Sequence, residues 1–225
     1  MDFARLAARN NADWCDAFCR THGVAGRFDE DAWCSALRTP PFYPDAVTLV
    51  PGADAASILA RVDAGSGCSV KDSFGDLDLG ADGFGVLFRA QWLCLDRAAS
   101  STAGWSVVRS SEELAAWEAA WGEPPVAPPF FRPALLASDA IAFLARREND
   151  LIGAGGIANR SASVVGLSNV FAADGDLEPA YAGAAAAAQA LCAPLPVVGY
   201  ESGEALEAAR RAGFAPIGEL AVWAT

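Results

Sequence analysis

The pattern of apolar and polar positions divides the chain into alternating strands and helices, and it is clearest in the last sixty residues. From Ser163 onward, SASVVGLSNVFA reads as a strand, ADGDLEPAYAG as a glycine-bearing turn and GAAAAAQALCA as an alanine-rich helix. LPVVGYE predicts a second strand, SGEALEAARRAGF a second helix and APIGELAVWAT a last strand. The closing helix ends at Gly213-Phe214, a glycine stop with an apolar clasp. An apolar strand that enters a helix through a glycine turn can leave backbone N–H groups facing an anion.

Earlier segments follow the same alternation. Residues 10–22 (NNADWCDAFCRTH) predict a short amphipathic helix with Asn11 as N-cap and Trp14, Phe18 and two cysteines on one side. DAVTLV alternates as a strand, DAASILARVDAG predicts a helix with Asp54 near its start, and KDSFGDLDLGADGFG reads as a loop. GVLFRAQWLCLDR and TAGWSVVRS alternate as strands. SSEELAAWEAAWG opens with a capping box, Ser110 to Glu113, and places Leu114, Trp117 and Trp121 at helical spacing toward the core. The proline cluster from Pro124 to Pro133 is the best candidate boundary, giving an N-terminal half over 1–122 and a C-terminal half over 134–225. PALLA, AIAFLARRE and LIGAGGIANR follow as short strands, the last two joined by a tight turn at Glu148-Asn149-Asp150. Strands alternating with helices in both halves imply an α/β or α+β architecture.

Composition narrows the function classes. The chain is 53% hydrophobic with 12 Phe and 7 Trp, enough for a sizeable core. A net charge of −12 argues against a nucleic-acid partner, which needs clustered Lys and Arg. The N-terminus has no secretory pattern and no segment approaches membrane-spanning length, so the expected location is cytoplasmic, without a membrane partner. Six cysteines are then expected to be reduced and mostly buried. Cys15, Cys19, His22 and Cys34 have zinc-ligand chemistry, but Trp14 and Phe18 mark that face as core, so no metal is expected. The glycines Gly153, Gly155 and Gly156 lie inside a strand-like run, which favours close backbone contact over a dinucleotide loop. His22 is the single histidine, far from any strand-end Ser or Cys, which makes a Ser-His-Asp triad improbable.

The ordered set of elements from Ala140 to Trp223 resembles the second half of a GNAT-type (GCN5-related) N-acetyltransferase. The resemblance implies a GNAT-like mixed central sheet flanked by helices, with the first half a worn copy of the same fold, making two tandem halves. It also implies acetyl-CoA as co-substrate and a small-molecule amine as acceptor. Val170 matches the strand-end residue whose backbone amide holds the carrier. Ala180–Ala185 matches the phosphate loop, with Gly183 and Ala185 at its glycine positions and Ala180 where an Arg or Gln belongs. Read without the resemblance, that stretch is an alanine-rich core helix. Asn169 stands where family members face the acceptor amine or the thioester carbonyl; an Asn amide can hydrogen-bond a carbonyl but cannot act as a base. It fits equally an Asn that fills backbone donors where two strands part.

The family's tyrosine, four residues before the terminal Gly-Phe, is Ala209 here, which leaves Tyr200 and Glu201 at the strand end as candidates to handle protons. Helix capping by Glu201 and Ser202 is the plainer reading of the same residues. The leading expectation is an acyl-CoA-dependent N-acyltransferase acting on a small amine. Its catalytic candidates are Asn169, Tyr200 and Glu201, and its carrier-binding candidates are Val170, Gly183 and Ala185. A non-catalytic GNAT-fold module for a ligand or protein partner is the main alternative, and a structural homodimer built on the same sheet is a third.

Overall fold

A computed structural model describes residues 2–98, 101–122, 129–149, 151–192 and 195–225. Most of the proline cluster, and Asp150 of the expected tight turn, lie outside the described residues. In chain order the elements are α1 (Phe3–Thr21), β1 (Arg27–Phe28), β2 (Ala32–Cys34), β3 (Ala46–Thr48), α2 (Ala55–Leu59), β4 (Ser69–Asp72) and β5 (Gly85–Leu95). They continue with β6 (Trp105–Val107), α3 (Ser111–Trp121), β7 (Ile141–Glu148), β8 (Leu151–Arg160) and β9 (Val165–Ala172). The chain closes with α4 (Leu177–Cys192), β10 (Val197–Glu201), α5 (Gly203–Arg211) and β11 (Ala215–Ala224). PALLA is a 3-10 turn (Pro133–Ala137) and not a strand, because Pro133 at its start cannot donate to a ladder.

The chain packs as two compact units, one of Met1–Trp92 with Ile217–Thr225 and the other of Leu93–Pro216. In the first unit β1, β2 and β3 form an antiparallel meander, the α2 segment crosses over, and β4 returns parallel to β3. β11 then pairs antiparallel with β4, from Ala221↔Asp72 to Ala224↔Ser69. The second unit traces the same path on a larger scale: β7, β8 and β9 are antiparallel, α4 crosses over, and β10 lies parallel to β9. The mixed sheet with flanking helices is the architecture expected from the element order, and its path drawn twice is what the resemblance implies.

Helix α1 corrects the expected start at Asn11. Its N-cap is Asp2, whose side chain accepts the Arg5 N–H, and FARLAARNN contains no breaker that would stop the helix. Asn10 and Asn11 are tolerated in mid-helix because Asn10 is buried and the Asn11 carbonyl accepts a 2.8 Å bond from the buried Lys71 ammonium. The zinc-like residues are packing groups: Cys15 and Cys19 are buried, the Phe18 ring stacks on Tyr43 at 3.7 Å, and the His22 ring lies 4.6 Å from Phe18. Burial pushes the Cys15 thiol up to about 11.

Alternation along β7 sends Leu144 and Phe143 to opposite faces of the second unit's sheet. Leu144 joins Val165, Leu167, Ala184, Ala185 and Ala188 in the core beneath α4, with Ala208, Ala209 and Phe214 packed into it. Phe143 meets Trp117 edge-on at 5.1 Å, and Phe131 and Phe171 also meet the Trp117 ring. The Trp117 indole donates to the Leu144 carbonyl at 2.8 Å, which satisfies the polar end of a fully buried ring. The expected capping box of α3 is present, with Ser110 and Glu113 bonded reciprocally. Gly155 is required by close packing: a Cβ there would lie 2.4 Å from the Phe171 ring and 2.6 Å from Trp117.

Candidate functional site

The site is shaped by where β9 stops pairing. β9 and β10 are joined only at Val165↔Val197 and Gly166↔Val198. A Cβ at Gly199 would sit 2.6 Å from the Leu167 carbonyl oxygen, so glycine permits the last close approach of the two backbones. Beyond it no further pairs form, and Ser168–Ala172 parts from Tyr200 and Glu201. On the other side of β9 the register with β8 jumps: Gly155 faces Phe171 and Ile157 faces Ser168. Gly156 alone therefore opposes both Asn169 and Val170, which is a β-bulge. Asn169 takes the extra residue's conformation, φ +53°, a left-handed geometry that Asn tolerates better than most side chains. The bulge also resets the alternation, so that Val170 packs with the α4 core while Phe171 turns to Trp117.

Asn169 and Val170 thus stand together at the opening, as the sequence pattern expected of two strands that part. The Asn169 amide donates to the Ser168 hydroxyl at 3.1 Å. Tyr200 and Glu201 lie half-buried at the end of β10. Ser202 occupies the N-cap position of α5 but makes no side-chain capping bond, so the plain capping reading of this pair does not describe it. The Glu201 carboxylate is instead hydrogen-bonded by the hydroxyl of Tyr181, a buried residue of α4 whose ring packs edge-on against Phe214 at 6.2 Å. Burial raises the Glu201 carboxyl from 4.5 to about 7, with the Tyr181 hydroxyl pulling the other way. Burial first, then the Glu201 charge, pushes the Tyr181 phenol up as well, so it remains a neutral donor.

Tyr181 escaped the sequence reading because it fell on an unspecified position of the loop pattern. The signal was present: it is the one aromatic residue in an alanine run, spaced one turn from Leu177 and from Ala184 and Ala185 on the core-facing side.

Gly183 and Ala185 are placed elsewhere than a phosphate loop. Both are buried inside α4, which already begins at Leu177, so their N–H groups belong to the helix ladder. Gly183 is needed for packing, since a Cβ there would lie 2.3 Å from the Trp105 indole nitrogen. The amides left free at the helix start are those of the first turn, near Leu177 and Glu178. They adjoin a cavity of about 610 Å³ between the starts of α4 and α5, lined by Gly175, Asp176, Leu177, Gly203, Glu204, Glu207 and Arg211 among others. Three carboxylates face one guanidinium there, and Arg211 is itself held by Glu178 at 2.8 Å.

The corresponding opening in the first unit is closed by its own side chains. The Thr48 hydroxyl accepts the Ser73 N–H at 2.8 Å, the Trp92 indole donates to the Ser73 carbonyl at 2.7 Å, and Asp72 takes the Phe74, Gly75 and Leu77 amides. Among the described residues, the open slot with titratable groups beside it lies in the second unit.

No family model matches the chain, and no curated protein matches it by sequence. Solved structures match it by shape. A GCN5-related N-acetyltransferase from Kribbella flavida aligns over 97% of this chain and 95% of its own, at 16% identity and a TM-score of 0.62. A GNAT-family acetyltransferase from Colwellia psychrerythraea aligns over 88% and 83%, at 14% identity and a TM-score of 0.53. A tandem GNAT protein from the clavulanic acid biosynthesis pathway aligns over 97% and 94%, at 11% identity and a TM-score of 0.50. The chain therefore has the GNAT fold. Among the described residues no helix is long and apolar enough to cross a membrane.

Proposed function

We propose that this protein is an acyl-CoA-dependent N-acyltransferase for a small amine, with its site in the unit Leu93–Pro216. The observation that carries the reading is the slot itself: a strand pair that parts at a bulge, with a carboxylate tuned to about 7 at its edge. The slot suits an extended, mostly neutral pantetheine arm, because the bulge at Asn169 and Val170 interrupts the β8–β9 ladder. Acetyl-CoA, when bound, supplies the activated acyl group. Glu201 accepts a proton from the incoming ammonium, since a carboxyl near 7 is partly ionised at neutral pH and basic enough to share that proton. Tyr181 holds the carboxylate in place. Asn169 orients a carbonyl by donating from its amide, and Tyr200 stands beside Glu201 as a second hydroxyl at the strand end.

The acidic cavity at the start of α4 favours a second reading, a GNAT-fold module that binds a ligand without transferring it. Asp176, Glu204 and Glu207 repel a diphosphate, and Gly183 and Ala185 offer it no free amides. Calorimetric titration with acetyl-CoA, desulfo-CoA and adenosine diphosphate separates the two. Binding of both CoA compounds at micromolar strength, followed by acetyl transfer in an amine screen, supports the transferase. No heat from any of the three leaves the ligand-binding module.

A further inference from the structure

Where β8 ends, the second unit carries a cavity of about 300 Å³ that the proposed reaction does not use. Its lining is apolar at Ile141 and Leu191 and basic at Arg109 and Arg160. Arg160 pairs with Val165 at the start of β9, whereas the bulge at Asn169 and Val170 lies further along that strand. The cavity is thus separate from the slot. Its backbone is already satisfied, with the Arg160 N–H on the Ala140 carbonyl at 2.7 Å and the Ile141 N–H on the Ser138 carbonyl at 3.3 Å. What remains available is side-chain chemistry.

That chemistry depends on the charge balance of the chain. It has 28 acidic and 16 basic residues, so most guanidiniums are expected to find a carboxylate. Arg146, Arg147, Arg210 and Arg211 of the same unit do so, whereas Arg97, Arg109, Arg132 and Arg160 make no ion pair among the described residues. Arg109 and Arg160 have no carboxylate within ion-pair distance among the described residues, although Asp139 lines the same cavity. We infer that the cavity binds a small organic carboxylate with an apolar body, its carboxylate taken by Arg109 and Arg160 and its body lying against Ile141 and Leu191. Guanidinium forks match carboxylate geometry. The volume is at the small end for ligand sites, and Asp139 disfavours a multiply charged anion such as a polyphosphate. This inference does not depend on the transferase reading.

Cys192 lines the same cavity and is the one cysteine of the six that is not buried, so it serves as a built-in reporter. Burial raises its thiol and the Arg160 charge draws it back down. The probe is sodium benzoate, with acetate and inorganic phosphate as comparisons, followed by calorimetry and by the rate of Cys192 alkylation with iodoacetamide. Benzoate is expected to bind, to slow alkylation, and to bind more tightly than acetate or phosphate. Arg109→Gln and Arg160→Gln should each weaken it about tenfold or more, the loss of one charged hydrogen bond. Both side chains are exposed, so circular dichroism should confirm that the variants fold as the parent does. Acetyl-CoA titration of the same variants should be unchanged. Absence of benzoate binding overturns the inference, as does binding to both variants as tight as to the parent, or phosphate binding more tightly than benzoate.

Discussion

Replacing Glu201 by Gln removes the one carboxyl at the slot whose titration the fold has displaced, and the consequence for stability has a definite sign. In the folded protein Glu201 titrates near 7 and in the unfolded chain near 4.5. Between those values the folded state binds the proton and the unfolded state does not. The contribution of this group to stability is therefore fully present below about 4.5 and is lost as pH rises through about 7. At about 1.4 kcal/mol per pH unit the complete loss is roughly 3 kcal/mol, and the part that falls between pH 5 and pH 8 is about 2.5 kcal/mol. Glutamine keeps the shape and the bond from Tyr181 but cannot ionise, so it escapes that loss. Denaturant unfolding of the parent and of Glu201→Gln, monitored by circular dichroism at pH 5 and pH 8, measures the difference directly, because all other titrating groups cancel. The variant should gain on the parent by about 2.5 kcal/mol between the two pH values. A gap that stays constant across that range would show that Glu201 is not held out of water as its surroundings imply. In the transferase reading the same residue predicts activity that rises with pH through about 7, and Glu201→Gln should abolish that rise.

Tyr181→Phe removes the hydroxyl that pulls the Glu201 carboxyl down, so carbon-13 NMR of the Glu201 carboxyl should show it titrating higher than in the parent; an unchanged midpoint would mean the bond does not form in solution. Gly183→Val drives a side chain into the Trp105 indole and should cost about 1–3 kcal/mol by thermal unfolding. An unaltered melt there would restore a loop-like role for this position. Asn169→Ala places alanine at φ +53° and should destabilise by about 1 kcal/mol, whereas Asn169→Gly should not. If the Asn169 amide orients a substrate carbonyl, turnover should fall in both variants alike, and full activity in Asn169→Gly would remove it from the mechanism.

Elements were legible where local chemistry and packing agree. The Ser110–Glu113 box, Asp54 at the start of α2 and the strand–helix order from β9 to β11 follow from side-chain patterns that tertiary structure does not override. β1 and β2 were not visible, because strands of two and three residues are too short to show a period. β4 was concealed in a stretch that reads as loop, since Lys71 and Asp72 look like surface residues yet are buried by specific partners, Asn11 for one and three backbone amides for the other. Within the site, Asn169 and Val170 were named from the family resemblance and Glu201 as a substitute at the strand end, and the structure places them at the ends of β9 and β10. The Tyr181–Glu201 bond joins residues on two different elements that no local spacing relates. Gly183 was misleading for the opposite reason: a glycine required by an indole ring looks, in sequence, the same as one required by a phosphate.

The bulge in β9 makes chain length, more than residue identity, the quantity on which the slot depends. Along a strand the side chains keep a two-beat phase, and the extra residue at Asn169–Val170 delays that phase by one beat. Everything downstream on β9 is timed to the delay: Val170 arrives at the α4 core and Phe171 at Trp117. Deleting Asn169 would restore a regular ladder with Val170 opposite Gly156, and it would leave Val170 on the α4 side and Phe171 on the Trp117 side, because Leu167 and Ser168 already stand in that phase. The irregularity at the slot and the packing of both faces are thus separable, and the chain could lose the bulge and keep its core.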